Sequence, residues 1–153
     1  MNRRDWLQLA FATAATSAFT RGVTSTRVAT NITVYKSPTC GCCANWVEYM
    51  KKSGFTVDAH DVDEAMLEQV KTTAGVPRAL RSCHVALATG YAFEGHVPAD
   101  LVKKVLSEKP RILGLAVPGM PAGSPGMEMG SRHDSYEVMS YDRAGTVAVF
   151  AKR

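Results

Sequence analysis

The sequence has no apolar run long enough to cross a bilayer, no internal repeat and, beyond its first 29 residues, almost no net charge. A permanent helical span needs about 20 consecutive apolar residues, so none is expected. Of 18 basic and 14 acidic residues, Arg3, Arg4, Arg21, Arg27 and Asp5 fall within residues 1–29, which leaves 14 basic against 13 acidic in the remainder. A near-neutral domain lacks the electrostatic footprint of a nucleic-acid binder, and the sequence pI of about 9.0 belongs in part to the N-terminal segment. Disorder is also excluded, because 46% apolar and 21% charged residues are ordinary for one globular domain with a real core. Cysteine is scarce but concentrated: three of the four occur in Cys40-Gly41-Cys42-Cys43.

Met1-Asn2-Arg3-Arg4-Asp5, followed by Trp6-Leu7-Gln8 and an Ala/Thr-rich stretch to about Thr20, has the layout of a twin-arginine export signal. Residues 1–29 are therefore read as the signal and residues 30–153 as the domain. Export would deliver the cysteines to an oxidising compartment, where thiols become disulfides unless a metal or a redox partner holds them.

Ile32 to Tyr35 reads as a buried strand, and Trp46, Val47 and Met50 form the apolar stripe of a helix that Gly54 stops. Phe55, Val57 and Ala59 alternate as a second strand. Asp63 is the expected N-cap of a second helix carrying Met66, Leu67, Val70 and Ala74, with Gly75 as its stop. Cys83 to Ala88 and Tyr91 to Glu94 read as a hairpin about Thr89-Gly90. Pro98 opens a third helix with Leu101, Val102, Val105 and Leu106 on its inner face. The order β-α-β-α-β-β-α is that of the thioredoxin and glutaredoxin class, an α/β fold. Pro110 to His133 is aperiodic and rich in Met, Gly and Pro, and is expected to be one long loop. Tyr136 to Tyr141 and Thr146 to Phe150 close the chain as a β-hairpin that extends or covers the sheet.

Cys40 is placed at a helix N-terminus, where free N–H groups and the helix dipole favour a thiolate. Cys40 and Cys43 have the redox C-x-x-C spacing, while Cys40 and Cys42 make a tighter C-x-C chelate. A third thiolate beside a redox pair invites wrong pairing, whereas three soft sulfurs on one turn suit Cu(I) or Zn(II), with softness favouring copper. A disulfide within the turn is feasible for Cys40–Cys43 and disfavoured by geometry for the adjacent Cys42–Cys43. Cys83-His84 stands where the thioredoxin class has a proline facing the cysteine motif, so a thiol and an imidazole are expected to face the first cluster. Strand alternation would turn one of the two away unless the strand begins with a bend. His96 follows Gly95 at the start of the third helix, and Met120, Met127 and Met129 are thioethers in a context that no helix or strand would bury. His60 and His133 carry no pattern beyond that of surface histidines.

Tyr35-Lys36-Ser37-Pro38-Thr39-Cys40-Gly41-Cys42-Cys43 with Trp46, then Ser82-Cys83-His84, Glu94-Gly95-His96-Val97-Pro98-Ala99, Gly114 to Pro121 and Gly123 to Glu128, together resemble the CopG-type family. The resemblance runs from about Ile32 to Phe150. It implies a thioredoxin-like fold, export to the bacterial periplasm and copper binding through Cys40, Cys42, Cys43, Cys83 and His84, with His96, Met120 and Met127 as further candidates. Two functions are expected from these residues. One is periplasmic Cu(I) binding for sequestration, transfer or resistance, as a cluster where sulfurs bridge, with copper-transfer or redox proteins as partners and zinc the less suited ion. The other is a thiol-disulfide or copper-redox oxidoreductase in which Cys40 attacks and Cys43 resolves. An arsenate-reductase-like enzyme ranks last because no arginine set lies near the cysteines. Whether the chain is an enzyme is left open.

Overall fold

The computed structural model describes residues 30–128 and 130–153; the export signal read over residues 1–29 and Met129 lie outside the described residues. The first strand, β1 (Asn31–Lys36), leads through a short turn into α1 (Gly41–Lys52). Then come β2 (Thr56–Asp61), α2 (Glu64–Thr73), a single 3-10 turn (Arg78–Leu80), β3 (His84–Ala88), β4 (Tyr91–Glu94) and α3 (Ala99–Glu108). Three further strands follow: β5 (Gly114–Ala116), β6 (Glu137–Tyr141) and β7 (Val147–Lys152). All seven form one mixed sheet in the order β2-β1-β3-β4-β5-β6-β7. The β1–β2 and β4–β5 pairs are parallel and the others antiparallel.

Alternation along the strands divides the core into two layers. Ile32, Val34, Ala86, Phe93 and Leu115 meet Trp46, Val47 and Met50 of α1 and Val102 and Val105 of α3 on one face. Val85, Ala92, Ala116 and Tyr141 meet Leu67 of α2, with Val76 and Leu80, on the other. As expected, Asp63 caps α2, its Oδ1 accepting from the Met66 N–H at 2.8 Å. Gly54 ends α1 in the left-handed region at φ 93°.

The expected β-α-β-α-β-β-α order holds, and the C-terminal hairpin extends the sheet. Two expectations need correction. The stretch from Pro110 to His133 is not one loop, because Gly114–Ala116 forms β5 between β4 and β6. Its Gly114 N-terminal end lies so close to the Ala92 carbonyl that a Cβ there would collide with it. The alternation Phe55, Val57, Ala59 is buried only at its start: Phe55 is in the core, but β2 is an edge strand and Ala59 is exposed.

Candidate metal centre

Three segments converge at the C-terminal end of β1. Cys40 is the N-cap of α1, with extended backbone and no side-chain capping bond, and its carbonyl accepts from the Ala44 N–H at 3.2 Å. The helix then carries Cys42 half-exposed and Cys43 fully buried in its first turn. Cys40 and Cys43 are joined as a disulfide with a Cα–Cα distance of 5.4 Å, the pairing their spacing allows. Cys42 and Cys83 are free thiols, and the Cys42 sulfur lies 3.4 Å from that of Cys40.

Cys83 joins the first cluster, and His84 meets Cys83 rather than the cysteine turn. The conflict with alternation disappears because β3 begins at His84, leaving Cys83 in the connection before it. His84 shares parity with Ala86 and therefore points toward α1, where its ring stands 4.6 Å from that of Trp46. Cys83 Sγ is 3.2 Å from His84 Nδ1 and 3.1 Å from His96 Nε2. His96 Nδ1 lies 2.8 Å from the Pro125 carbonyl oxygen. A carbonyl only accepts, so Nδ1 carries the hydrogen and the Nε2 lone pair faces the sulfur, which is the tautomer of a metal-binding histidine.

Two donor sets result. The sulfurs of Cys40, Cys42, Cys43 and Cys83 lie within 4.8 Å of one another, and so do the donor atoms of Cys83, His84 and His96. Cys83 belongs to both. Burial, with the neighbouring Cys42 thiol adding to it, pushes the Cys83 thiol up to about 12, so it is protonated at neutral pH until a cation displaces its hydrogen. Burial holds the His84 imidazole neutral far below its ordinary range, with His96, Lys71 and Lys36 reinforcing this. Burial lowers His96 as well, against the opposing Pro125 carbonyl and Glu128. His84 Nε2 is a buried nitrogen without a hydrogen-bond partner. A set of soft sulfurs and neutral imidazoles suits a soft or borderline cation.

The irregular segment after β5 covers this site. Met120 is 53% exposed, and its thioether lies 3.9 Å from Cys42 Sγ. Gly126, at φ 86°, lies against the first turns of α1; a Cβ on it would be 2.7 Å from the Trp46 nitrogen and 2.9 Å from the Cys42 oxygen. Met127 is half-buried, held through its backbone to Gly123 and Ser124, and forms no hydrogen bond with a cysteine sulfur among the described residues. His60 is exposed, pairs with Asp58, stacks on Tyr35 and belongs to neither donor set, in line with its reading as a surface residue.

Sequence reasoning missed a buried ion pair behind the site. Lys71 Nζ and Glu94 Oε1 are 2.9 Å apart, their side chains 2% and 0% exposed. Burial pushes the Glu94 carboxyl up to about 7 against the pull of Lys71 and of the Ser82 N–H. Position signalled only that each side chain faces inward: Lys71 is one turn on from Leu67 on the inner face of α2, and Glu94 shares parity with Ala92.

Residues 32–79 match the family described as glutaredoxin, and residues 80–127 match the family described as protein of unknown function DUF411. The boundary falls between the helix turn that carries Cys40, Cys42 and Cys43 and the strand and loop that carry Cys83, His84, His96 and Met120. No curated protein sequence matches the chain. Two solved structures, described as forms 1 and 2 of the copper resistance protein copG, are each 42% identical to it with a TM-score of 0.76. Each match covers 82% of this chain and 98% of the other.

Proposed function

The chain belongs to the family of the copper resistance protein copG, and from that premise we propose that it binds Cu(I) as cargo through its cysteines for sequestration or transfer in copper resistance. The observation that carries this reading is the place of Cys83 in both donor sets. A thiolate shared between an all-sulfur group and a pair of imidazoles is suited to bridging, so more than one ion can be held. Cys40, Cys42, Cys43, Cys83, His84 and His96 are the proposed ligands, Met120 is a peripheral thioether, and Met127 is retained as a further donor. Zinc is less suited, because one tetrahedral ion would leave soft donors unused.

Reduction comes first. Two electrons and two protons from a dithiol partner open Cys40–Cys43, and the two thiols that result lose their protons as copper binds. The proposed setting is the periplasm, reached through a signal in residues 1–29, with copper-transfer or redox proteins as partners. No helix of the described residues is long and apolar enough to cross a membrane.

The Cys40–Cys43 disulfide favours a second reading, in which the C-x-x-C exchanges disulfides or cycles with the copper. Anaerobic titration of the reduced domain with Cu(I) against a competing chelator, counting free thiols before and after, separates the two. Uptake of more than one copper per chain with all four thiols protected supports the binding reading. Failure to compete, with Cys40 and Cys43 cycling between dithiol and disulfide, gives the lead to the oxidoreductase.

A further inference from the structure

Lys71 on α2 and Glu94 on β4 lie outside both donor sets, yet each reaches the peptide groups of the residue before Cys83. Lys71 Nζ donates to the Ser82 carbonyl oxygen at 2.5 Å, and the Ser82 N–H donates to Glu94 Oε1 at 2.5 Å. Both backbone polar groups of Ser82 are thereby held by one buried ion pair. The Ser82 hydroxyl donates in turn to the Gly119 carbonyl at 2.6 Å, which fastens the covering segment next to Met120. Gly95 keeps the approach close: it adopts φ 69°, and a Cβ on it would lie 2.8 Å from both Ser82 Cβ and the Val117 oxygen.

Such a pair is a weak source of stability. Desolvation offsets most of the Coulomb gain inside a protein, and apolar replacements of similar volume are often neutral or stabilising. Here the second carboxylate oxygen, Glu94 Oε2, is also buried without a partner. A costly pair that grips the peptide leading into Cys83 has a use in orientation.

The geometry points to Lys71 and Glu94 as positioning residues of the soft-metal site: the pair clasps Ser82 so that the Cys83 sulfur stays between the cysteine turn and the two imidazoles. The inference rests on the metal-binding reading above. The clasp orders Cys83 before the cation arrives, so binding does not bear that ordering cost.

The test compares the parent with two double variants of the reduced protein. K71M/E94L removes both grips on Ser82, and K71M/E94Q removes the charges but keeps an acceptor for the Ser82 N–H. Three quantities are measured: thermal midpoint, Cu(I) affinity by chelator competition, and the alkylation rate of Cys83 relative to Cys42 in the metal-free protein, resolved by mass spectrometry. K71M/E94L is expected to lower the midpoint modestly, because the Ser82 N–H and carbonyl lose their partners, to lose roughly tenfold or more in Cu(I) affinity, and to show Cys83 alkylated several-fold faster relative to Cys42. K71M/E94Q is expected to recover part of both. A folded K71M/E94L with parental affinity and parental Cys83 protection would overturn the inference. If K71M/E94L does not fold, the same two readouts on K71M/E94Q decide it. If the parent takes up no copper, the metal reading fails, while the alkylation ratio still reports whether the pair positions Cys83.

Discussion

His96 Nε2 lies 3.1 Å from Cys83 Sγ while the opposite ring nitrogen is tied to the Pro125 carbonyl oxygen at 2.8 Å. A loop residue thus sets the tautomer of a histidine that begins the approach to α3, and that histidine meets a thiol before β3. The contact joins the two halves of the proposed site to the segment that covers it.

Replacement of His96 tests this joint directly. His96→Gln is expected to lower Cu(I) affinity roughly tenfold or more, since losing an orienting partner alone costs about tenfold to hundredfold and here an imidazole donor is lost. Chelator competition on the reduced protein checks it, and parental affinity would remove His96 from the ligand set.

Gly126 packs the covering segment against the backbone of α1. Gly126→Ala combines a left-handed φ of 86° with a Cβ 2.7 Å from the Trp46 nitrogen, at a cost of about 1–3 kcal/mol. Urea unfolding of the metal-free protein should show this loss together with weaker copper retention. An unchanged midpoint would mean that the segment can lift off α1 without cost.

Met120 is the exposed thioether beside Cys42. Met120→Leu conserves volume at a site that is 53% exposed, so the unfolding midpoint should not move. Cu(I) loading, followed by stopped-flow absorbance, should slow because the outermost soft donor is gone. Loading at the parental rate would leave Met120 outside the route by which copper reaches Cys42.

Acid should compete with copper at Cys83 before it does so at the histidines. The Cys83 thiol, pushed up to about 12, must release its proton on binding, so Cu(I) affinity should rise with pH across the neutral range. His84 and His96 are lowered by burial and remain neutral there. For the metal-free fold, a raised folded pKa is a contribution present below the ordinary value of 9.0 and lost as pH rises toward about 12. Thermal unfolding above pH 9 should therefore show a decline that Cys83→Ser reduces. A Cu(I) affinity independent of pH would show that Cys83 is not a proton-releasing ligand.

Oxidation state should set capacity. Counted after unfolding, the protein should contain two free thiols without reductant, Cys42 and Cys83, and four with it. Copper uptake should increase in parallel, measured by metal analysis after desalting. Equal uptake in both states would exclude Cys40 and Cys43 as ligands.

The strand-helix order was legible because apolar spacing marks elements that bury a face, and Asp63 was legible because a helix start needs an acceptor for its free N–H groups. β5 was not: three residues, all buried, carry too short a pattern to distinguish Gly114-Leu115-Ala116 from the Pro/Gly-rich segment after it. The cysteines and Cys83-His84 were evident from spacing. That Cys83 and His84 lie side by side instead of on opposite faces depends on β3 starting one residue later than its apolar run suggests. Lys71 and Glu94 could not be read as partners, since the sequence separates them by a whole strand and their types normally mark solvent-facing positions.

Copper-edge X-ray absorption of the reduced, loaded protein addresses the proposed cluster most directly. The expected result is a Cu(I) edge, a first shell dominated by sulfur with a nitrogen contribution that falls in His96→Gln, and copper–copper scattering from ions that share the Cys83 thiolate. A shell of nitrogen and oxygen alone, or a single copper without a sulfur contribution, would contradict the shared-thiolate site.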